Sequence, residues 1–105
     1  MMAVDFDAAV IGSGPNGLAA GITFARRGLK TVIFEVNDEP GGAARSAELT
    51  LPGFIHDTGS AVLPMAAASP FFSSLPLAKW NLKWIFPPAA LAHPFDDGTA
   101  VLLLR

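Results

Sequence analysis

The residues best suited to chemistry in this sequence are Gly12-Ser13-Gly14-Pro15-Asn16-Gly17, which follow the spacing G-x-G-x-x-G. Glycine serves a different need at each of the three places. Gly12 permits a tight turn, Gly14 leaves backbone open to a close-lying diphosphate, and Gly17 lets two elements pack closely. Anion binding then falls to backbone N–H groups at a helix start, because the loop contains no basic side chain. Glu35 stands 18 residues after Gly17, about where such a loop has an acid that accepts from ribose hydroxyls. A carboxylate there repels a 2′-phosphate, and neither Val36 nor Asn37 supplies a cation to offset the repulsion. The pattern predicts a site for a dinucleotide of the FAD or NAD type and disfavours the NADP type. The competing explanation, that the glycines and Glu35 only shape a turn and a strand end, has to account for four matched features in order.

Bringing those residues together requires a strand, a helix and a second strand. Ala8-Ala9-Val10-Ile11 is a continuous apolar run that stops at Gly12, as expected of a parallel strand buried on both faces. Between residues 15 and 27 the spacing turns helical, with Leu18, Ile22, Ala25 and Leu29 at intervals of 4, 3 and 4, which gives one apolar stripe. Pro15 suits a first helical turn, and Gly28 after Arg26-Arg27 suits a C-terminal cap beside cations that favour the helix dipole. Thr31-Val32-Ile33-Phe34-Glu35-Val36 is β-branched and aromatic, and predicts the second strand. Strand, helix and strand within about thirty residues make a βαβ unit.

Past residue 40 the chain changes character, because seven of its nine prolines lie there. Trp84-Ile85-Phe86 before Pro87-Pro88 predicts a short strand, and the apolar runs on either side of Asp96-Asp97-Gly98 predict a β-hairpin. The expected fold class is α/β. It comprises an incomplete Rossmann-like βαβ core within residues 1–62, then a loop-rich segment with a β-hairpin over residues 63–105. The sequence stops at Val101-Leu102-Leu103-Leu104-Arg105 without cap, turn or polar tail, which predicts a truncated protein.

Composition narrows the function classes. A 51% hydrophobic and 15% charged chain is that of a folded protein, not a disordered one. The net charge is −2 and no basic cluster exceeds Arg26-Arg27, so no electrostatic footprint for nucleic acid exists. The absence of cysteine excludes disulfides, thiolate metal sites and cysteine nucleophiles. An acidic N-terminus argues against a signal peptide, and three prolines interrupt the apolar stretch 61–78, so a cytoplasmic protein without a membrane span is expected.

After Glu35-Val36 come Asn37-Asp38-Glu39-Pro40-Gly41-Gly42-Ala43-Ala44-Arg45-Ser46 and, further on, Gly53-Phe54-Ile55-His56-Asp57-Thr58-Gly59. Here the sequence resembles the phytoene desaturase-like family of FAD-dependent oxidoreductases, including its branch of pyridine nucleotide-disulphide oxidoreductase domain-containing proteins. The resemblance runs from residue 7 to about 104 and is dense in 10–21, 35–46 and 53–59. It implies that Gly12, Gly14, Gly17 and Glu35 hold the ADP half of FAD, with Ser13, Pro15, Asn16 and Val36 beside them among the cofactor-binding residues. It also implies that Gly41 and Gly42 give backbone to the flavin diphosphate and neighbouring ribose. Many members carry arginine directly after the glycine pair, where this chain has Ala43, so Arg45 is either the replacement cation or a surface residue. Asp57-Thr58-Gly59 resembles the family's D-x-G turn toward the flavin and substrate side, although for Asp57 itself the role of a loop-capping carboxylate is the better-supported reading.

The resemblance implies hydride transfer from an apolar or lipid-like substrate to flavin, chemistry that FAD itself carries. Catalytic side chains are therefore not identified, and none has to form an acid/base pair. His56 and His93 lie 37 residues apart without a second ligand nearby, so both are expected to be structural and no metal site is expected. Phe71, Phe72, Trp80, Trp84 and Phe86 either line an apolar cavity or pack a core. Lys79 and Lys83 are the only charges between Thr58 and Phe95, which implies burial against the remainder of the chain, a subunit or a membrane surface. Two rivals stand beside this. An NAD-binding domain of a soluble dehydrogenase gives no reason for Gly41-Gly42 or Asp57-Thr58-Gly59, and a non-catalytic binding module on the same scaffold needs no cofactor. These residues alone are expected to be inactive.

Overall fold

The computed structural model describes residues 5–104. It divides into two compact units, one up to Met65 and the other from Ala66. In the first, β1 (Ala8–Ile11), α1 (Pro15–Arg26) and β2 (Thr31–Phe34) form the expected βαβ unit. The strands run parallel, from Ala8 opposite Thr31 to Ile11 opposite Phe34. The Gly12 N–H extends the ladder by one bond to the Phe34 carbonyl, at 2.7 Å. At the other end, the Lys30 N–H donates to Asp7 Oδ2 at 2.8 Å while the Asp7 N–H donates to the Lys30 carbonyl, also at 2.8 Å. The turn out of α1 is thereby fastened to the start of β1.

α1 ends as Gly28 predicts. The Gly28 N–H reaches the Ala25 carbonyl at 3.0 Å and the Leu29 N–H reaches Phe24 at 3.2 Å, the paired bonds of a Schellman motif. Gly28 takes φ +81° to make them. The expected burial of β1 on both faces is not met. Val10 is half-buried on the side of α1, while Ile11, pointing the opposite way, is 90% exposed. One helix covers only one face of a two-stranded sheet.

A second ribbon, with no counterpart among the strands that the sequence predicts, forms where β3 (Ser46–Glu48) pairs antiparallel with β4 (Ile55–Asp57). Its return is built on Gly53 at φ +84° and a bond from the Phe54 N–H to the Leu51 carbonyl at 3.1 Å. Further along, α2 (Pro64–Ala68) and α3 (Pro70–Ser73) are short, and Ser69 caps α3 by accepting from the Phe72 N–H at 3.5 Å. The hairpin forms as expected, from β5 (Ala89–Pro94) and β6 (Ala100–Leu104). Gly98 at φ +83° lets its N–H meet the Phe95 carbonyl at 3.1 Å, and Asp97 Oδ1 accepts from the Thr99 N–H at 2.9 Å.

Trp84-Ile85-Phe86 is not a strand. The two prolines after it lack N–H groups and restrict the residue before them, and no neighbouring strand pairs with it. Nor does a core form around the aromatic residues. Trp80 is 79% exposed, Phe71 and Phe72 are half-buried and meet edge to face at 5.4 Å, and no apolar side chain among the described residues is buried. No helix among them is long and apolar enough to cross a membrane.

Candidate dinucleotide site

The glycines of the first loop are small for different reasons. A β-carbon on Gly17 would run into the Gly12 carbonyl oxygen and lie 3.6 Å from Val10 Cγ1, so this glycine closes α1 onto β1. Gly12 adopts φ +90° with open space around it, a conformation that L side chains rarely take. Gly14 sits at φ −66°, ψ 174°, extended backbone that any residue adopts, and a β-carbon there would find only Gly42 Cα at 3.9 Å. The fold itself does not demand glycine at position 14. α1 starts at Pro15, without a side-chain cap and without an acid in its first turn. Free N–H groups of that turn and the positive end of the dipole, beside Asn16 and Gly17, favour an anion.

Glu35 follows β2 directly and reaches back to this loop. Its Oε2 accepts from the Ser13 N–H at 2.9 Å and the Ser13 hydroxyl at 2.5 Å, and Ser13 is only 4% exposed. Its Oε1 accepts from the Asn37 N–H at 3.0 Å and the Asn37 side-chain amide at 2.7 Å. The Ser13 hydroxyl foremost, then the Asn37 and Ser13 N–H groups and the Asn37 amide, hold the Glu35 carboxyl well below the usual carboxylate range. The sequence offers Asn37 as an uncharged residue and as part of the 35–46 stretch, not as a partner of Glu35. Its short amide two places after the acid is the signal that a local carboxylate partner was present.

The second glycine pair joins the first loop. The Gly41 N–H donates to the Ser13 carbonyl at 3.0 Å, and a β-carbon on Gly42 would stand 2.9 Å from Gly14 Cα. Gly41 and Gly42 have φ +123° and +57° and lead into a 3₁₀ turn over Gly42–Ala44. Arg45 is half-buried and donates from Nε to the Gly42 carbonyl at 3.1 Å, so it is not a free surface residue. The Ser60 N–H donates to the Ala43 carbonyl at 2.8 Å, which ties residues 57–60 to this turn. Asp57 accepts from the Ser46 hydroxyl at 2.8 Å across the ribbon, and His56 pairs with Thr50 at 2.8 Å; both act locally. Val36 is 96% exposed and, with Asn37, Asp38, Glu39 and Arg45, lines an open depression of about 450 Å³ beyond β2. The described residues contain no cluster of His, Asp and Glu able to hold a metal.

A parallel βαβ unit with a glycine turn at its switch and an ionised acid at the second strand end defines a dinucleotide-binding fold. The chain belongs to the NAD(P)-binding Rossmann-like domain family, whose model matches residues 10–75. It is 36% identical over 102 residues to the hydroxyneurosporene desaturase of Rhodobacter capsulatus, a match that covers 95% of this chain and 20% of that protein. It is 38% identical over 96 residues to pyridine nucleotide-disulfide oxidoreductase domain-containing protein 2 of Rattus norvegicus, covering 90% of this chain and 16% of the relative. Among solved structures, putrescine oxidase bound to putrescine superposes with TM-score 0.62 at 25% identity, over 95% of this chain and 22% of the oxidase. The chain thus spans between 16% and 22% of the length of these three proteins, one named a desaturase, one an oxidoreductase domain-containing protein and one an oxidase.

Proposed function

We propose that the chain is the N-terminal FAD-holding part of an oxidoreductase that takes hydride from an apolar, lipid-like substrate. The observation that carries this reading is the seating of Gly41-Gly42 on Ser13 and Gly14, beside the Glu35 carboxylate. An NAD site needs the first loop and the acid, and the second glycine pair adds backbone where the diphosphate of FAD continues. In this reading Glu35, with its charge fixed by Ser13 and Asn37, accepts from the ribose hydroxyls. The N–H groups at the start of α1, between Gly12 and Gly17, face the diphosphate, and Pro15, Asn16 and Val36 line its path. Bound FAD would supply the hydride-accepting ring, and the protein's share is to orient it and exclude water. Residues 1–62 belong to the dinucleotide domain and 63–105 to the substrate side, in a cytoplasmic protein. The apolar character of the substrate is supported by the hydroxyneurosporene desaturase match. The remainder of the polypeptide, a subunit or a membrane surface completes that side.

The visible absorption spectrum of protein purified from its complete reading frame tests the proposal. A flavin spectrum released on denaturation is expected. A colourless, well-folded protein that cannot be reconstituted with FAD refutes it, and NAD binding by that protein would establish the dehydrogenase reading.

A further inference from the structure

Arg45 is engaged at both ends. Its Nε–H donates to the Gly42 carbonyl at 3.1 Å, and its Cγ lies 2.8 Å from where a β-carbon of Gly41 would stand. Its own carbonyl oxygen accepts from the Thr58 N–H at 2.8 Å and the Thr58 hydroxyl at 2.9 Å. Close by, a β-carbon on Gly59 would touch Ala43 Cβ at 3.0 Å. The Gly41-Gly42 turn, with positive φ at both residues, has no side chains with which to hold its own conformation. Glycine backbone loses the most freedom on ordering, so neighbours have to fix it.

We infer that Arg45 is a positioning residue that clamps the Gly41-Gly42 turn in place through its Nε donor and packed stem and not through its charge. Its main-chain carbonyl, which any residue would supply, ties the end of the turn to Thr58. The inference rests on the flavin reading only for its affinity readout. Lysine separates clamp from cation. It supplies a positive charge of similar reach, but has a methylene where arginine carries Nε, so it cannot donate to Gly42 while its stem stays packed under Gly41.

In the protein from its complete reading frame, FAD dissociation constants are compared for wild type, Arg45→Lys and Arg45→Ala, with the melting temperature of each cofactor-free protein. Amide hydrogen exchange is followed at Gly41 and Ala44, whose N–H groups bond to the Ser13 and Gly41 carbonyls, also without cofactor. Both variants should weaken FAD binding about tenfold, on the scale of one lost hydrogen bond, at unchanged melting temperature. Exchange at the two amides should quicken in both. Near-wild-type affinity in Arg45→Lys with loss in Arg45→Ala would make Arg45 a diphosphate cation and overturn the clamp. Wild-type exchange rates in both variants would overturn it too. Wild-type protein that takes up no FAD refutes the flavin reading instead, and the cofactor-free exchange still decides the clamp.

Discussion

Gly14 and Gly17 lie three residues apart and are small for opposite reasons, one facing outward and the other inward. Because Gly14 has ordinary backbone angles and 3.9 Å of clearance for a β-carbon, Gly14→Ala should fold and melt like wild type yet purify without flavin. Full flavin content in that variant would remove Gly14 from the site. Glu35 yields a pH prediction. Its pKa is lower in the folded protein than in the unfolded chain, so its contribution to stability is present above the ordinary carboxylate range and is lost as pH falls through the folded value. Glu35→Gln should therefore be less stable than wild type at neutral pH, and the two should converge in acid when unfolding is followed by circular dichroism. Parallel curves at all pH values would mean that the bonds to Ser13 and Asn37 do not hold the carboxylate in solution. The same variant should bind FAD roughly tenfold more weakly, because a neutral amide is a weaker acceptor than a carboxylate. Spacing alone located Glu35, whereas the donors that fix it, Ser13 and Asn37, carry no periodic signal.

At the scale of elements, legibility followed the strength of local punctuation. α1 was readable because Pro15 starts it, Gly28 stops it and its apolar stripe spans the turns between, and β1 because four apolar residues run into a glycine. β3 and β4 escaped because three residues are too few to show alternation and Ser46-Ala47-Glu48 has little strand preference; Gly53 was their one signal. Trp84-Ile85-Phe86 failed in the other sense, since strand preference without a partner strand yields no strand. The contact of α1 with the sheet supports a paired prediction. Alanine gains roughly 1 kcal/mol over glycine in a helix interior, while overpacking costs about 1–3 kcal/mol. At Gly21 the new methyl meets the terminal Cδ1 of Ile33 at 2.7 Å, the movable end of a side chain, so Gly21→Ala should be close to neutral. At Gly17 it meets the Gly12 carbonyl group, backbone that cannot move without opening the turn. Gly17→Ala should thus lower the urea midpoint clearly and Gly21→Ala hardly at all; equal shifts would mean that α1 does not close on β1 through Gly17.

For the molecule as a whole, no apolar side chain among the described residues is buried, although half of the sequence is hydrophobic. A Rossmann sheet of parallel strands is covered by helices on both faces, and the face bearing Ile11 has no helix of its own here. Each large apolar side chain left in water forfeits about 1.5–3 kcal/mol, while ordering a residue costs roughly 1.5 kcal/mol of conformational entropy. Helix caps and short ladders, at about 1 kcal/mol per hydrogen bond, cannot offset that over 105 residues. A polypeptide of residues 1–105 made alone should therefore melt without a cooperative transition, bind a hydrophobic dye and show no substrate turnover with added FAD. Protein from the complete reading frame should melt sharply and bind little dye. A sharp transition in the short polypeptide, with the Gly41 and Ala44 amides protected from exchange, would mean that the glycine and carboxylate network around Glu35 orders this chain without a buried core. The exposed face of the sheet would then be a surface in its own right, with no need of further chain to cover it.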